Sequence, residues 1–455
     1  MRILLAAHQF LPEYSAGTEV LTAETARELR ARGHEVSVFA GHPYRAPCED
    51  HERFESYTFE GIEVTRFRHS HSAMGGVRNV MALEYDNPLL AEFFRRHLER
   101  TRPDVVHFFH LQRLSASALV TCQSLGIPTV LTVTDFWPLC PTNQLMLPDN
   151  SHCPGPSADG ANCLRHLAWL RVPGALRWLV AHAPRPLWSL LVRLAYSDLA
   201  PDLPVLAQVR SLKERPRFMR NTIAGADRIL VATRFMARAI ESLGVEARKV
   251  SVQPFGIRYS ARTAPRMADE DRPLHIGFIG TLYEHKGAHV LIQALRSIPH
   301  TCALRASVYG DTAQFPAYVA TLQRLADGDP RIEFCGTFAQ ADIAAVMEDL
   351  DVLVAPSLWH ENSPLVLLHA QAAGCPVVGS NVAGISEIVR DGENGLLFTP
   401  GDAAELARAL LRLAEDRSLL RGLGGRAMQV KPVTEYVDEL LRAYRELATL
   451  QGVCS

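Results

Sequence analysis

The sequence predicts an α/β fold made of two Rossmann-like domains with parallel sheets, and three observations carry that reading. The chain has 455 residues, about three times a typical domain of roughly 150. Short apolar runs alternate with segments whose apolar residues recur at helical spacing. That alternation stops at a polar stretch and then begins again, as a second series of the same kind would. Hydrophobic residues make up 47%, enough for two cores, and charged residues make up 21%, which excludes disorder on a large scale.

Residues 2–7 form the first apolar run, as a buried parallel strand requires. A polar loop from His8 to Gly17 follows, and then Val20, Leu21, Ala23, Ala26 and Leu29 mark a helix that Arg32-Gly33-His34 ends. Residues 35–39 are the next strand, which completes a βαβ unit. Residues 104–108 and 129–133 continue the series. From 161 to about 220 the character changes: ten basic residues stand against three acidic ones, with Trp169, Trp178 and Trp188 among Leu and Val. Regular βα structure resumes at 227–232. Residues 257–273 are polar, with little apolar periodicity, and read as an interdomain linker. The second series has strands at 275–280, 305–309, 332–334, 352–355 and 376–378, and residues 436–450 read as an amphipathic helix. The expected domains are therefore 1–256, with a helical insert at about 160–220, and 270–430, with a final helix at 434–450.

A net charge of −2 gives no reason to expect nucleic acid as a partner. Nine cysteines in 455 residues do not make a disulfide scaffold. The apolar N-terminal run is too short for a signal peptide, and no run of 18 uninterrupted apolar residues is present. A cytoplasmic protein is the expectation.

Chemistry concentrates at three βα turns. The segment from Gly280 through Thr281 to Lys286-Gly287 lies between a strand and a helix, where backbone N–H groups and the helix dipole suit an anion. Lys286 is one of only four lysines and can neutralise a diphosphate, although a solvated lysine on a plain turn has the same sequence. The segment Ser357 to Leu365 follows the strand 352–355, at the edge where open α/β sheets gather ligands. There Asn362 and Ser363 can cap the next helix, and Glu361 can accept bonds from sugar hydroxyls. Gly17 sits between the first strand and its helix, where a glycine lets a ligand approach the backbone; a plain turn reads the same way.

These segments, with Phe10-Leu11-Pro12, Gly17-Thr18-Glu19, Gly33-His34-Glu35-Val36, Asp104-Val105-Val106-His107, Asp135-Phe136-Trp137-Pro138-Leu139-Cys140-Pro141, Glu361-Asn362-Ser363-Pro364-Leu365-Val366 and Gly392-Glu393-Asn394-Gly395, resemble the retaining glycosyltransferases of family 4. The resemblance spans nearly the whole chain except the insert, and it implies the GT-B architecture, two Rossmann-like domains facing each other across a cleft. It implies transfer of a hexose from a nucleoside-diphosphate sugar (UDP-, GDP- or another) to a glycan, lipid-linked or small-molecule acceptor, with retention of configuration and with no metal or other cofactor. Lys286 would hold the diphosphate. Glu361 and the backbone from Asn362 through Ser363 and Pro364 to Leu365 would hold the donor sugar, and Gly17 and Gly280 would lie against the phosphates. His107 and His110 sit past a strand end, where each reads equally as an acceptor or sugar contact or as a structural histidine, and Thr134 and Asp135 are further candidate contacts. Three positions depart from the family pattern. Thr281 replaces an arginine, His369 replaces a ribose-binding glutamate, and Thr134 replaces a histidine. A catalytically degenerate binding or scaffold protein of the same fold is the alternative these departures raise.

Three further signals remain. Asp327-Gly328-Asp329 matches an acidic metal motif but falls between a helix and a strand, where it reads as a turn. Cys140, Cys153, Cys163 and His166 offer a zinc set of irregular spacing, against the plainer expectation of buried thiols and no metal. The basic, Trp-containing insert reads as an acceptor-side helical pair with its tryptophans packed inward. The alternative is an amphipathic element that docks peripherally at the inner face of an anionic membrane.

Overall fold

The structure, a computed structural model, describes every residue outside 47, 148, 198–200, 202, 260–271 and 451–455. The chain divides into two units, one of Met1–Pro254 together with the segment from Val433, the other of Phe255–Pro432. Most of the polar stretch 257–273 lies outside the described residues. Of its edges, Ile257 bridges Pro432 and the Tyr259 hydroxyl donates to the Val430 carbonyl, both inside the second unit.

The first unit opens with β1 (Arg2–Ala7), α1 (Gly17–Ala31) and β2 (Glu35–Pro43). The apolar residues of α1 at helical spacing are the buried ones, and Gly33 at φ +81 turns the chain back toward β2. An antiparallel pair follows, β3 (Phe54–Phe59) and β4 (Ile62–His69). Then come α2 (Val80–Leu83), α3 (Pro88–Thr101), β5 (Val105–Phe108), α4 (Ser117–Leu125) and β6 (Thr129–Val133). The sequence did not predict β3 and β4, because Glu55, Glu63, Arg66 and Arg68 interrupt their apolar residues, and β3 buries none of its residues fully.

The insert folds as α5 (Ala161–Arg171), α6 (Gly174–His182), α7 (Arg185–Ala195) and α8 (Pro204–Ala224). Its tryptophans do not behave alike: Trp188 is buried, Trp169 is half-buried, and Trp178 is 65% exposed. Helix α6 buries none of its residues. The inward packing expected from the sequence therefore holds for Trp188 and fails for Trp178. Then β7 (Arg228–Val231), α9 (Arg234–Glu241) and β8 (Val250–Val252) complete a sheet of order β3-β4-β2-β1-β5-β6-β7-β8, parallel except for the β3–β4 pair.

The second unit runs β9 (Leu274–Ile279), α10 (Ala288–Ser297), β10 (Leu304–Tyr309), α11 (Pro316–Ala326), β11 (Ile332–Gly336) and α12 (Ile343–Asp349). It continues with β12 (Val352–Ala355), α13 (Leu365–Ala372), β13 (Val377–Ser380), β14 (Gly395–Phe398), α14 (Ala403–Glu415) and α15 (Arg417–Gly425). Its sheet has the order β11-β10-β9-β12-β13-β14 and is parallel throughout. Asp327-Gly328-Asp329 closes α11 at positive φ, and Asp329 is buried against Arg331 at 2.8 Å, so the segment is the expected turn.

Helix α16 (Val433–Leu450) belongs to the first unit, where Asp438 pairs with Arg32, just past the end of α1, and the Tyr444 hydroxyl meets His107 Nδ1. Among the described residues, no helix is long and apolar enough to cross a membrane.

Candidate active site

In the second unit the turn after β9 and the turn after β12 meet at the carboxyl edge of the sheet. Gly287 ends the first turn at φ +75, and a Cβ there would stand 1.8 Å from the Pro356 carbonyl oxygen of the second. The Leu358 amide donates to the His285 carbonyl at 2.8 Å. Gly384 at φ +84 plays the same part from the loop after β13, since a Cβ would stand 2.0 Å from the Glu361 carbonyl oxygen. The Glu361 amide donates to the Ala383 carbonyl at 2.9 Å. These close approaches are what fix Glu361 in place.

Lys286 Nζ donates to Glu361 Oε1 at 2.8 Å. The same oxygen accepts from Ser357 Oγ at 2.7 Å and from Trp359 Nε1 at 2.8 Å. Lys286 also lies over the Trp359 ring, 5.1 Å from its centroid. Burial works to raise the Glu361 carboxyl, but the Lys286 charge and the three hydrogen bonds hold it below the usual carboxylate value. His285 packs between Tyr283 and Trp359, and burial next to Lys286 pushes its imidazole down to about 3, so it is neutral. The result is an ionised lysine–glutamate pair with the lysine a quarter exposed and the glutamate nearly enclosed.

The remaining predicted donor residues fall around this pair with some corrections. Pro364 is the cap residue of α13, and no side chain caps the helix, so Asn362 and Ser363 do not play the capping role expected of them. Leu365 is the first residue of α13, and His369 is buried one turn further in. Thr281 is half-buried and its carbonyl accepts from the Tyr283 amide. Gly280 meets only ordinary contacts where a Cβ would stand, so the turn depends on Gly287 instead. Ser357, Trp359 and His285 were not singled out from the sequence. Their positions within four residues of Glu361 and next to Lys286 were the available signal.

In the first unit a second group of polar side chains collects at the carboxyl edge of the sheet. His110 Nδ1 accepts from the Gln112 amide at 3.0 Å, which places the ring proton on Nε2, 2.7 Å from Asp135 Oδ2. Asp135 Oδ1 accepts from the Trp137 amide at 2.8 Å. The His110 ring lies 4.2 Å from that of His8, whose Nε2 is 3.3 Å from Glu19 Oε1. Burial raises the Glu19 carboxyl, and burial together with His110 and Arg113 lowers the His8 imidazole. Neither His8 nor Glu19 was assigned a role from the sequence, although Glu19 stands in the Gly17-Thr18-Glu19 motif.

Two of the predicted contacts in this unit are occupied by the fold. His107 is fully buried within β5 and bonded to Tyr444 and to Thr132 Oγ1, and burial pushes its imidazole down to about 3. It is a core histidine, not a ligand contact. The Thr134 hydroxyl donates to the Phe109 carbonyl at 2.8 Å. Gly17 is exposed at the start of α1, where no side chain caps the helix. Cys140, Cys153 and Cys163 share one neighbourhood, with burial raising the Cys163 thiol to about 12. Cys153 is nevertheless engaged by Asn162 and the Gly155 carbonyl, and Cys140 by Thr142. With His166 they do not form a set with ligand atoms within 4.8 Å of one another, so the predicted zinc arrangement is not assembled.

Two units of Rossmann type, one with a basic and acidic pair on adjoining βα turns, define the GT-B class of fold. Residues 273–416 match the family described as glycosyl transferases group 1, and residues 16–154 match the glycosyl transferase 4-like domain. The two matches together cover more than half of the chain, which belongs to the family-4 type of glycosyltransferases.

Among curated relatives, the phosphatidyl-myo-inositol mannosyltransferase of Mycobacterium leprae is 31% identical over 46% of this chain and 56% of that protein. The D-inositol 3-phosphate glycosyltransferase of Nocardia farcinica is 30% identical over 57% of this chain and 60% of that protein. The chain thus matches less than two thirds of the length of these relatives. HepE of Anabaena, solved in complex with UDP and glucose, superposes with a TM-score of 0.62 at 18% identity over 97% of this chain and 99% of that one. Sucrose-phosphate synthase from Thermosynechococcus elongatus gives 0.66 at 16% identity over 99% and 100%. These structural likenesses show the fold.

Proposed function

We propose that this protein transfers a hexose from a nucleoside-diphosphate sugar to a glycan, lipid-linked or small-molecule acceptor, with retention and without a metal. The observation that carries the reading is the Lys286–Glu361 pair, held between two βα turns at the carboxyl edge of the second sheet. A diphosphate arriving there finds a cation, and a sugar finds a desolvated carboxylate. UDP- and GDP-sugars are the donors to try first; HepE, which shares the fold, was solved with UDP and glucose.

In the proposed reaction the bond from the anomeric carbon to the diphosphate oxygen breaks, and the acceptor oxygen bonds that carbon on the same face. The acceptor proton passes to the departing phosphate oxygen. Lys286 stabilises the charge growing on the leaving group, Glu361 holds the sugar, and the backbone amides of Ser363 and Leu365 beside the Pro364 cap of α13 add dipolar support. Gly17 at the start of α1 and His369 within α13 contribute donor contacts. The His110–Asp135 pair serves the acceptor.

The test is sugar-nucleotide turnover in the wild type and in Lys286→Ala, read as released nucleoside diphosphate. Unchanged turnover in the variant would remove the diphosphate assignment. A binding protein without turnover is the second reading, favoured by Thr281 and His369 and by the engagement of Lys286 with Glu361. Donor binding with no release of nucleotide under any acceptor would select it.

The insert extends the proposal to a surface. Leu176, Trp178, Leu179, Leu190 and Leu194 are exposed on α6 and α7, next to Arg171, Arg177, Arg185 and Arg193. Apolar side chains in water beside basic ones suit the headgroup region of an anionic bilayer, which would place the enzyme peripherally at a lipid surface.

A further inference from the structure

We infer that His69, His71 and Glu84 form a binding site in the first unit for one zinc-class divalent cation. His69 is the last residue of β4, paired in register with Pro43 at the end of β2, so the site stands at the carboxyl edge of the sheet. His71 follows two residues later, a spacing that puts two side chains of an extended chain on one face. Glu84 comes from a separate element, the residue that closes α2. It is the one set of three histidine, cysteine or acidic side chains among the described residues with ligand atoms within 4.8 Å of one another.

One of the two ligand distances matches a metal site, and the other must open by about half an ångström. Glu84 Oε1 lies 3.3 Å from His69 Nε2 and 2.8 Å from His71 Nδ1. Two ligands at roughly 2.0–2.1 Å from zinc in a tetrahedron stand about 3.3–3.4 Å apart, so small shifts suffice to admit the ion. Two imidazoles and one carboxylate are the donor set of an open zinc site, with a fourth position left over. Glu84 Oε1 faces both imidazoles, so all three ligand atoms converge on one point. His69 Nδ1 is buried with no partner, and no second bond dictates which ring nitrogen carries the proton. Nε2 faces Glu84 Oε1, and the unpartnered Nδ1 can take the ring proton when a metal replaces it on Nε2.

The frame around the three ligands is already built. Arg53 Nη1 donates to the hydroxyl of Ser70, between the two histidines, and that hydroxyl also bonds Ser72. Asn79 caps α2 through the Ala82 amide and anchors it to α8 through Ser211 Oγ and the Ala207 carbonyl. His71 is 82% exposed, so an ion has an entry path and an exchangeable ligand. The site lies in the first unit and takes no part in the leaving-group chemistry proposed for Lys286.

The experiment uses the full chain, stripped with EDTA, dialysed, and titrated with zinc chloride against a chromogenic chelator. The wild type is expected to take one equivalent. His71→Ala removes an exposed side chain without touching the core, and together with Glu84→Gln it should weaken zinc binding by more than about tenfold. Cys163→Ser should bind like the wild type, and the thermal transition of each variant reports its folding. A wild type that takes no zinc would overturn the inference. So would a His71→Ala protein with wild-type affinity, or an equivalent that disappears in Cys163→Ser.

Discussion

Lys286 Nζ and Glu361 Oε1 stand 2.8 Å apart although 75 residues separate them in the chain. Two glycine contacts hold the turns that carry them, and Ser357 and Trp359 complete the coordination of the same oxygen. A buried carboxylate in this setting loses most when its cation is removed. Lys286→Ala is expected to weaken donor binding by about 10- to 100-fold, the cost of about 1.5–3 kcal/mol for one charge-assisted contact. Isothermal titration with the donor checks it.

The same pair sets an acid response. The folded Glu361 carboxyl is held below its ordinary value, so the stability it contributes is full above the unfolded value near 4.3 and is lost as pH falls further. Glu361→Gln should flatten the fall in stability below about pH 4.3, measured as urea midpoints against pH. An unchanged slope in that variant would argue against the ionised pair.

His107 makes the opposite kind of prediction. It is neutral in the fold, with its imidazole pushed down to about 3, while the unfolded chain binds the proton near 6.5. Stability should therefore fall as pH drops from about 6.5 toward 3, and His107→Gln should remove one proton's worth of that slope. The variant should also lose about 1–3 kcal/mol through the broken bonds to Tyr444 and Thr132, seen as a lower Tm, with donor affinity unchanged.

The glycines separate packing from function. Gly280→Ala meets only Phe278 at 3.6 Å and should fold normally. Gly287→Ala meets the Pro356 carbonyl at 1.8 Å at a φ of +75, so it should lower the Tm and abolish donor binding together. Thermal melts of the two variants side by side decide the point.

The βα series was legible because buried parallel strands read as uninterrupted apolar runs, as in β1, β6 and β9. Lys286 and Glu361 were legible as well, since each sits in a short polar turn just past such a run. Their mutual bond was not, because no local pattern encodes a contact across 75 residues. His107 stayed open between a ligand contact and a structural histidine for a related reason. A histidine near a strand end looks like a ligand contact, while its partner Tyr444 arrives from the last helix of the chain. The hairpin β3–β4 was hidden by its charged residues, and the cap of α13 by Asn362 and Ser363, whose types suit a role that Pro364 holds.

The insert predicts vesicle binding. Flotation with vesicles of anionic lipid should capture the wild type and release it with added salt, because Arg171, Arg177, Arg185 and Arg193 supply the long-range attraction. Replacing the exposed Trp178 and Leu179 with glutamate should abolish capture without lowering Tm, as neither side chain is buried. Capture of that variant at the wild-type level would dismiss the surface.

The central claim is that Lys286 anchors the diphosphate of a sugar nucleotide, and a thermal-shift screen of UDP-, GDP-, ADP- and TDP-sugars on wild type and Lys286→Ala tests it most directly. A donor at 100 times its Kd stabilises the native state by about 2.7 kcal/mol, a shift of several degrees. The expected result is a shift with one nucleotide in the wild type and a much smaller one in Lys286→Ala. An equal shift in both proteins, or none with any sugar nucleotide in well-folded wild type, would contradict the account.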